Sequence, residues 1–114
     1  MSVHAAATTA RLVEKARDPA AHLDEQHAAF TRLVLQNQHI VFGLALASLR
    51  DAEDARDAVQ DAFTTAWHRL RQLRDPSAFT PWLKSIAATE CLRRQRRRRH
   101  RSSRLIRPLP RGTP

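Results

Sequence analysis

Apolar residues recur at three- and four-residue spacing along most of this chain, the period of an amphipathic helix. Over residues 24–49 that spacing is kept by Phe30, Leu33, Val34, Val41, Leu44, Ala45 and Leu49. The register loosens at residues 36–39, so the pattern predicts either one long helix or two meeting at a bend. Asp51 is a good N-cap, and Glu53 and Asp54 follow in a first turn where the helix dipole favours acids. A second helix is therefore expected from Asp51 to about Gln72, burying Ala55, Val59, Ala62, Phe63, Ala66, Trp67 and Leu70. Arg74-Asp75-Pro76-Ser77 reads as a turn. A third helix starts near Ser77 or Thr80, because Pro81 is tolerated in a first turn that has no intrahelical donor to lose. It carries Phe79, Trp82, Leu83, Ile86, Ala87 and Cys91 on one face. Beyond Cys91 the apolar stripe stops and arginines begin, so this helix is expected to project past the core.

The ends carry weaker patterns. Residues 1–23 read as a flexible N-terminal tail with one weak helical patch at 11–17, closed by Asp18-Pro19. Residues 101–114, with Ser102-Ser103 and the prolines Pro108 and Pro110, read as a linker or disordered basic tail. Residues 24–100 remain as one folded domain. Composition agrees with the helical pattern: Ala, Leu, Arg and Gln are common, aromatics make up 5% and glycine occurs twice. The expected fold is all-α, a compact bundle of three to four helices with a basic helical extension and disordered termini.

Charge placement says more than charge amount. The formal net charge is +9. Residues 1–92 hold ten basic and eleven acidic side chains, whereas residues 93–114 hold ten arginines and no acid. Such a patch, at its densest in Arg96-Arg97-Arg98-Arg99, suits a polyanion, gaining affinity by releasing counterions. A membrane surface is a poorer partner, since the basic segment lacks the apolar face of an interfacial helix. The longest apolar run, residues 40–49, is about half a membrane span, and the first ten residues hold no apolar stretch of signal-peptide length. The single Cys91 excludes an internal disulfide and reads as a buried thiol. A cytoplasmic protein is expected. Enzyme chemistry finds no support: His22 and His27 are wrongly spaced for a shared helical metal site, and neither a His/Cys cluster nor a glycine-rich phosphate loop occurs. No cofactor or metal is expected.

The segment Asp54-Ala55-Arg56-Asp57-Ala58-Val59-Gln60-Asp61-Ala62-Phe63 is followed by Phe79-Thr80-Pro81-Trp82-Leu83-Lys84-Ser85-Ile86-Ala87 and then by the arginine run. From about residue 30 to 99 this order resembles region 2 of bacterial sigma factors of the extracytoplasmic-function (ECF) type. The resemblance implies a promoter-recognition domain rather than an enzyme. In that family the acidic helix docks on the beta-prime clamp helices of core RNA polymerase, a role that falls here on Asp54, Asp57, Gln60 and Asp61. The spacing of the three acids also puts them on one ridge. The last helix and the loop before it engage the non-template strand of the minus-ten element, with one base flipped into a pocket. That role falls here on Leu73, Arg74, Ser77, Thr89, Arg93, Arg94, Arg96 and Arg97. His68 and Arg71, on the polar side of the second helix, join the DNA set, while Trp67 and Trp82 sit on apolar stripes and read as core.

The chain also departs from the family pattern. Thr89 stands where Asn is usual, Arg93 where Asp is usual, Leu73 where Phe is common and Arg56 where Glu is frequent. Base preference is therefore not carried over. The helix-turn-helix domain that reads the minus-35 element has no counterpart, which reads as a fragment cut in the linker or as a stand-alone region 2. Two other readings stay open: a small basic helical DNA- or RNA-binding protein acting without polymerase, and a sigma-like domain held by an anti-sigma factor.

Overall fold

The computed structural model describes the backbone of residues 3–105 and the side chains of residues 5–101. It contains four helices, α1 (Val3–Ala16), α2 (Leu23–Leu49), α3 (Ala52–Arg69) and α4 (Phe79–Leu105), with 3-10 turns at Leu70–Gln72 and Pro76–Ala78 between α3 and α4. No strand occurs among the described residues. The all-α expectation holds, with four helices. No helix among these residues is long and apolar enough to cross a membrane.

The first difference from expectation is α1. Residues 3–16 form a helix instead of a loose tail, and Val13 and Ala16 are buried with Thr9. The segment is rich in alanine, which favours helix strongly yet gives little hydrophobic contrast for a periodicity to register. α1 packs on α2 and on the turn Pro76–Ala78.

α2 runs unbroken through the segment where a bend was an option. The polar residue that loosens its pattern, Asn37, is 3% exposed and fully engaged. Its Nδ2 donates to Leu33 O at 2.7 Å, and its Oδ1 accepts from Thr80 Oγ1 at 2.6 Å. A buried amide satisfied in this way ties α2 to the start of α4 at little cost. The helix ends at Arg50, whose left-handed φ of 56° lets its N–H reach Leu46 O at 2.8 Å. The next residue, Asp51, is the N-cap of α3, accepting from Asp54 N at 2.9 Å. A two-residue link thus turns the chain between antiparallel helices.

One core cluster joins all four helices, with Leu33, Val41, Phe63, Leu70, Leu73, Phe79 and Leu83 among its buried members. Aromatic rings run through it: Phe30 meets Trp67 at 5.1 Å and Phe79 at 6.3 Å edge to face, and Phe79 lies 5.9 Å from Trp82 in a tilted pair. Trp82 packs on the core as a half-buried residue at its margin, and Trp67, also half-buried, meets it through the ring of Phe30. A second cluster of Ala45, Leu49, Ala55, Ala58 and Cys91 closes the far end. Cys91 is buried, and that burial pushes its thiol up from the ordinary value, as suits a packing group.

α4 does not leave the bundle where its apolar stripe stops. Gln95 Nε2 donates to Ser48 O and Oγ at 2.9 and 3.0 Å, and Arg98 Nη1 donates to Leu49 O at 2.7 Å. Polar contacts to the open carbonyls at the α2 C-terminus hold the helix down for two further turns. It continues to Leu105, past residue 101 where a linker was expected, and residues 106–114 of that linker lie outside the described residues.

Candidate functional site

The acidic residues of α3 divide into two sets. Asp54 and Asp61 turn toward α4: Arg98 donates from Nε to Asp54 Oδ2 at 2.9 Å and from Nη2 to the same oxygen, and Arg94 donates from Nη2 to Asp61 Oδ2. Asp57 is exposed and has no ion pair among the described residues. With Glu53 four residues before it and Gln60 three after, it forms the outward ridge of the helix. Glu53 was missed as a ridge member because its place in the first turn already accounts for an acid. Gln60 borders a shallow apolar groove of about 380 Å³ between α2 and α3, lined by Phe30, Val34, Phe63 and Trp67. The outward face therefore joins carboxylates, an amide and an apolar furrow.

The ion pairs brace α3 against α4. Hydrogen bonding from Arg98 holds the Asp54 carboxyl below its ordinary value of 3.8 against an opposing push from burial. A carboxylate whose folded pKa is depressed contributes stability above its unfolded pKa and loses it as pH falls through the folded value. Asp54→Asn is therefore expected to lower the melting temperature relative to wild type by a constant amount at neutral and mildly acidic pH. That difference should close as pH drops below 3.8. A thermal-melt series in which the gap persists to about pH 2 would contradict the brace.

Arg94 is corrected by this geometry. It was expected to face DNA, but its side chain is 17% exposed, it holds Asp61, and its Nε is buried without a hydrogen-bond partner. Position along the run decides the matter: Arg94 and Arg98 share the face toward α3, whereas Arg96 stands opposite and Arg93 and Arg97 lie on the flank. Arg93 pairs at 3.1 Å with Glu90, and Arg96 and Arg97 are exposed with no ion pair among the described residues.

That outward side of α4 is continuous with a groove. Thr65 and Arg69 of α3 and Trp82, Ser85, Ile86, Thr89, Glu90 and Arg93 of α4 enclose about 170 Å³. Trp82, Ser85, Thr89, Arg93, Arg96 and His100 follow at three- and four-residue steps, so groove and arginines form one strip. Thr89 Oγ1 donates to Ser85 O at 3.0 Å and Ser85 Oγ to Pro81 O at 3.2 Å, leaving both hydroxyl oxygens with acceptor capacity toward the groove. Glu90, only 7% exposed, adds a carboxylate beside them. Glu90 and Arg69 were both missed. Glu90 had a signal, being the one acid after Asp75.

The loop before α4 is ordered by its own polar groups. Asp75 Oδ1 accepts from Ser77 N at 3.0 Å and from Ser77 Oγ at 2.7 Å, and these bonds hold the Asp75 carboxyl below its ordinary value. Arg74 is exposed, whereas Ser77 is half-buried with its hydroxyl proton committed to Asp75. Leu73, expected to meet DNA, is 6% exposed and belongs to the core, so its side chain is not available to a ligand. The reason is local: after the 3-10 turn the chain runs extended, which aims position 73 inward. His68 and Arg71 are exposed, but they line a different groove, of about 210 Å³, with Arg17, Gln26 and Trp67. Thr89 and Arg93 are thus brought together, and His68 and Arg71 are not brought to them.

Comparison with known proteins agrees with the resemblance read from the sequence. The model of the family sigma-70 region 2 matches residues 33–101. The chain is 44% identical over 73 residues to the probable RNA polymerase sigma factor RfaY of Xanthomonas campestris pv. campestris, covering 64% of this chain and 18% of that protein. It is 44% identical over 59 residues to RNA polymerase sigma-H factor of Pseudomonas aeruginosa, covering 52% and 31%. To ECF RNA polymerase sigma factor SigM of Mycobacterium tuberculosis it is 36% identical over 78 residues, covering 68% and 40%. The chain spans less than half the length of each of these relatives. No solved structure matches it.

Proposed function

The chain belongs to the sigma-70 region 2 family, and from that premise we propose that it serves transcription initiation as the minus-ten-recognising domain of an ECF-type sigma factor. It docks on the beta-prime clamp helices of core RNA polymerase through the outward ridge of α3, with Glu53, Asp57 and Gln60 foremost. It holds the non-template strand along α4. Unpaired bases of the minus-ten element enter the groove at Trp82, Thr89 and Glu90, while Arg93, Arg96 and Arg97 neutralise the adjoining phosphates. Strand opening follows from holding bases that only an opened duplex presents. The work is done in the cytoplasm, and an anti-sigma factor would find the same outward ridge.

What supports this reading above all is the strip on α4, where a groove of about nucleobase size runs on through Arg93, which pairs with Glu90, to the exposed and unpaired Arg96. A phosphate-only binder has use for the arginines and none for the groove. The two parts predict separable effects. Replacing Arg93, Arg96 and Arg97 by Ala should reduce the magnitude of the log-log salt slope for single-stranded DNA by about 2, three phosphates contributing about 0.7 each. Arg94→Ala should leave the slope in place and lower the melting temperature, because that arginine holds Asp61. A slope that follows Arg94 and ignores the other three would overturn the assignment. The docking half is tested by capture of the chain on core polymerase at moderate salt. A nucleic-acid binder acting without polymerase would show no retention.

A further inference from the structure

Helix α1 lies outside the segment matched by the family model, yet it packs on the turn Pro76–Ala78 and shares the core with Leu73 and Phe79. Directly after it, Arg17 crosses to the end of α3. Its Nη1 donates to Leu70 O at 3.2 Å and to Leu73 O at 2.6 Å, residues 53 and 56 positions away. These carbonyls stand where the helix unwinds through a 3-10 turn, in which Leu70 O also accepts from Leu73 N at 3.3 Å. A guanidinium here supplies charge-assisted bonds to the negative end of the helix dipole.

Arg17 is itself held. Its N–H donates to Val13 O at 3.1 Å, and the connection after it is pinned by Gln26, whose Nε2 donates to Asp18 O at 2.6 Å and Ala21 O at 3.1 Å. α1 also packs against the turn Pro76–Ala78. The loop from Leu73 to Ala78 is therefore anchored twice, once by the packing of α1 and once by hydrogen bonds from Arg17 just after it. Between the anchors lie Arg74 and the Asp75–Ser77 hydrogen-bonded turn, next to the start of α4.

We propose that Arg17 is a positioning residue for base selection: by fixing the Leu70 and Leu73 carbonyls it sets where the Arg74–Ser77 loop stands relative to the strand on α4. Arg17 touches no nucleotide. Its effect passes through the backbone of the loop, where a displacement of about 1 Å is enough to degrade a recognition geometry. The inference rests on the minus-ten reading given above.

The test uses the full chain bound to core polymerase, selecting from fork-junction DNA randomised over its unpaired minus-ten bases, with the bound fraction sequenced. Wild type should select a consensus. Arg17→Met keeps the aliphatic stem and removes the donors, and it should weaken discrimination at one or more selected positions by about five- to tenfold while the salt slope stays as in wild type. Arg17→Lys, which restores a cationic donor, should recover part of the lost discrimination. A consensus unchanged in Arg17→Met would overturn the inference, and so would loss of the folded state in Arg17→Met, which would make the guanidinium a support for the whole domain instead of the loop. A wild-type chain that selects no consensus would sink the minus-ten reading itself, an outcome distinct from either.

Discussion

Asp57→Arg is expected to weaken binding to core polymerase by about a hundredfold or more while leaving the melting curve where it was. Reversing a charge at a complementary interface sets like charges together, at a cost of several kcal/mol. Asp57 is suited to the experiment because it is exposed and makes no ion pair among the described residues, so the fold loses nothing with it. Surface changes of this kind usually alter stability by no more than about 0.5 kcal/mol. Asp61→Arg is a poorer choice: it would break the contact with Arg94 and confront that partly buried guanidinium with a second cation. Binding and melting would then change together. Titration of labelled chain against core polymerase, paired with circular dichroism, reads both quantities. Wild-type affinity in folded Asp57→Arg would remove the outward ridge from the docking surface.

Phe79→Ala is expected to bring the domain close to unfolding. The ring is fully buried at the point where the loop enters α4, facing Phe30 at 6.3 Å and Trp82 at 5.9 Å. Truncating a buried aromatic costs about 3–5 kcal/mol, against a total stability of about 5–15 kcal/mol for domains in general. For a chain of this size the melting temperature should fall by about 15 °C or more. Phe30 cannot collapse into the space easily, since it is already locked edge to face with Trp67. A drop of only a few degrees would mean that the loop and α4 are held mainly by Arg17, Asn37 and the arginine brace.

The helices that were legible in the sequence are those whose large apolar residues recur on one face. Leu33, Val41, Phe63, Phe79 and Leu83 mark α2, α3 and α4 without help from tertiary structure. α1 escaped because alanine supports a helix but does not mark its buried side, and Val13 alone makes no stripe. Site residues divide along a similar line. Spacing could say that Asp54, Asp57 and Asp61 are neighbours on α3, and that Arg93, Arg94, Arg96 and Arg97 share one helix. It could not say which members turn toward each other, because that depends on how α4 lies across α3. Hence Arg94 and Asp61 satisfy one another, while Glu53 takes an outward place that composition had already explained by the helix dipole. Leu73 followed a family position into the DNA set, yet the extended backbone after the 3-10 turn aims it at the core. Arg17, which reaches across more than fifty positions to Leu70 and Leu73, leaves no local signal at all.

The proposed holding of unpaired minus-ten bases against α4, on polymerase, can be read from the bases themselves. Its most direct measurement places 2-aminopurine at successive non-template positions of a minus-ten duplex and records fluorescence with the chain alone, core polymerase alone and both together. A rise is expected at a defined position, requiring both proteins and lost when Arg93, Arg96 and Arg97 are replaced by Ala. A signal produced by the chain without polymerase, or none when both are bound to the duplex, would contradict it.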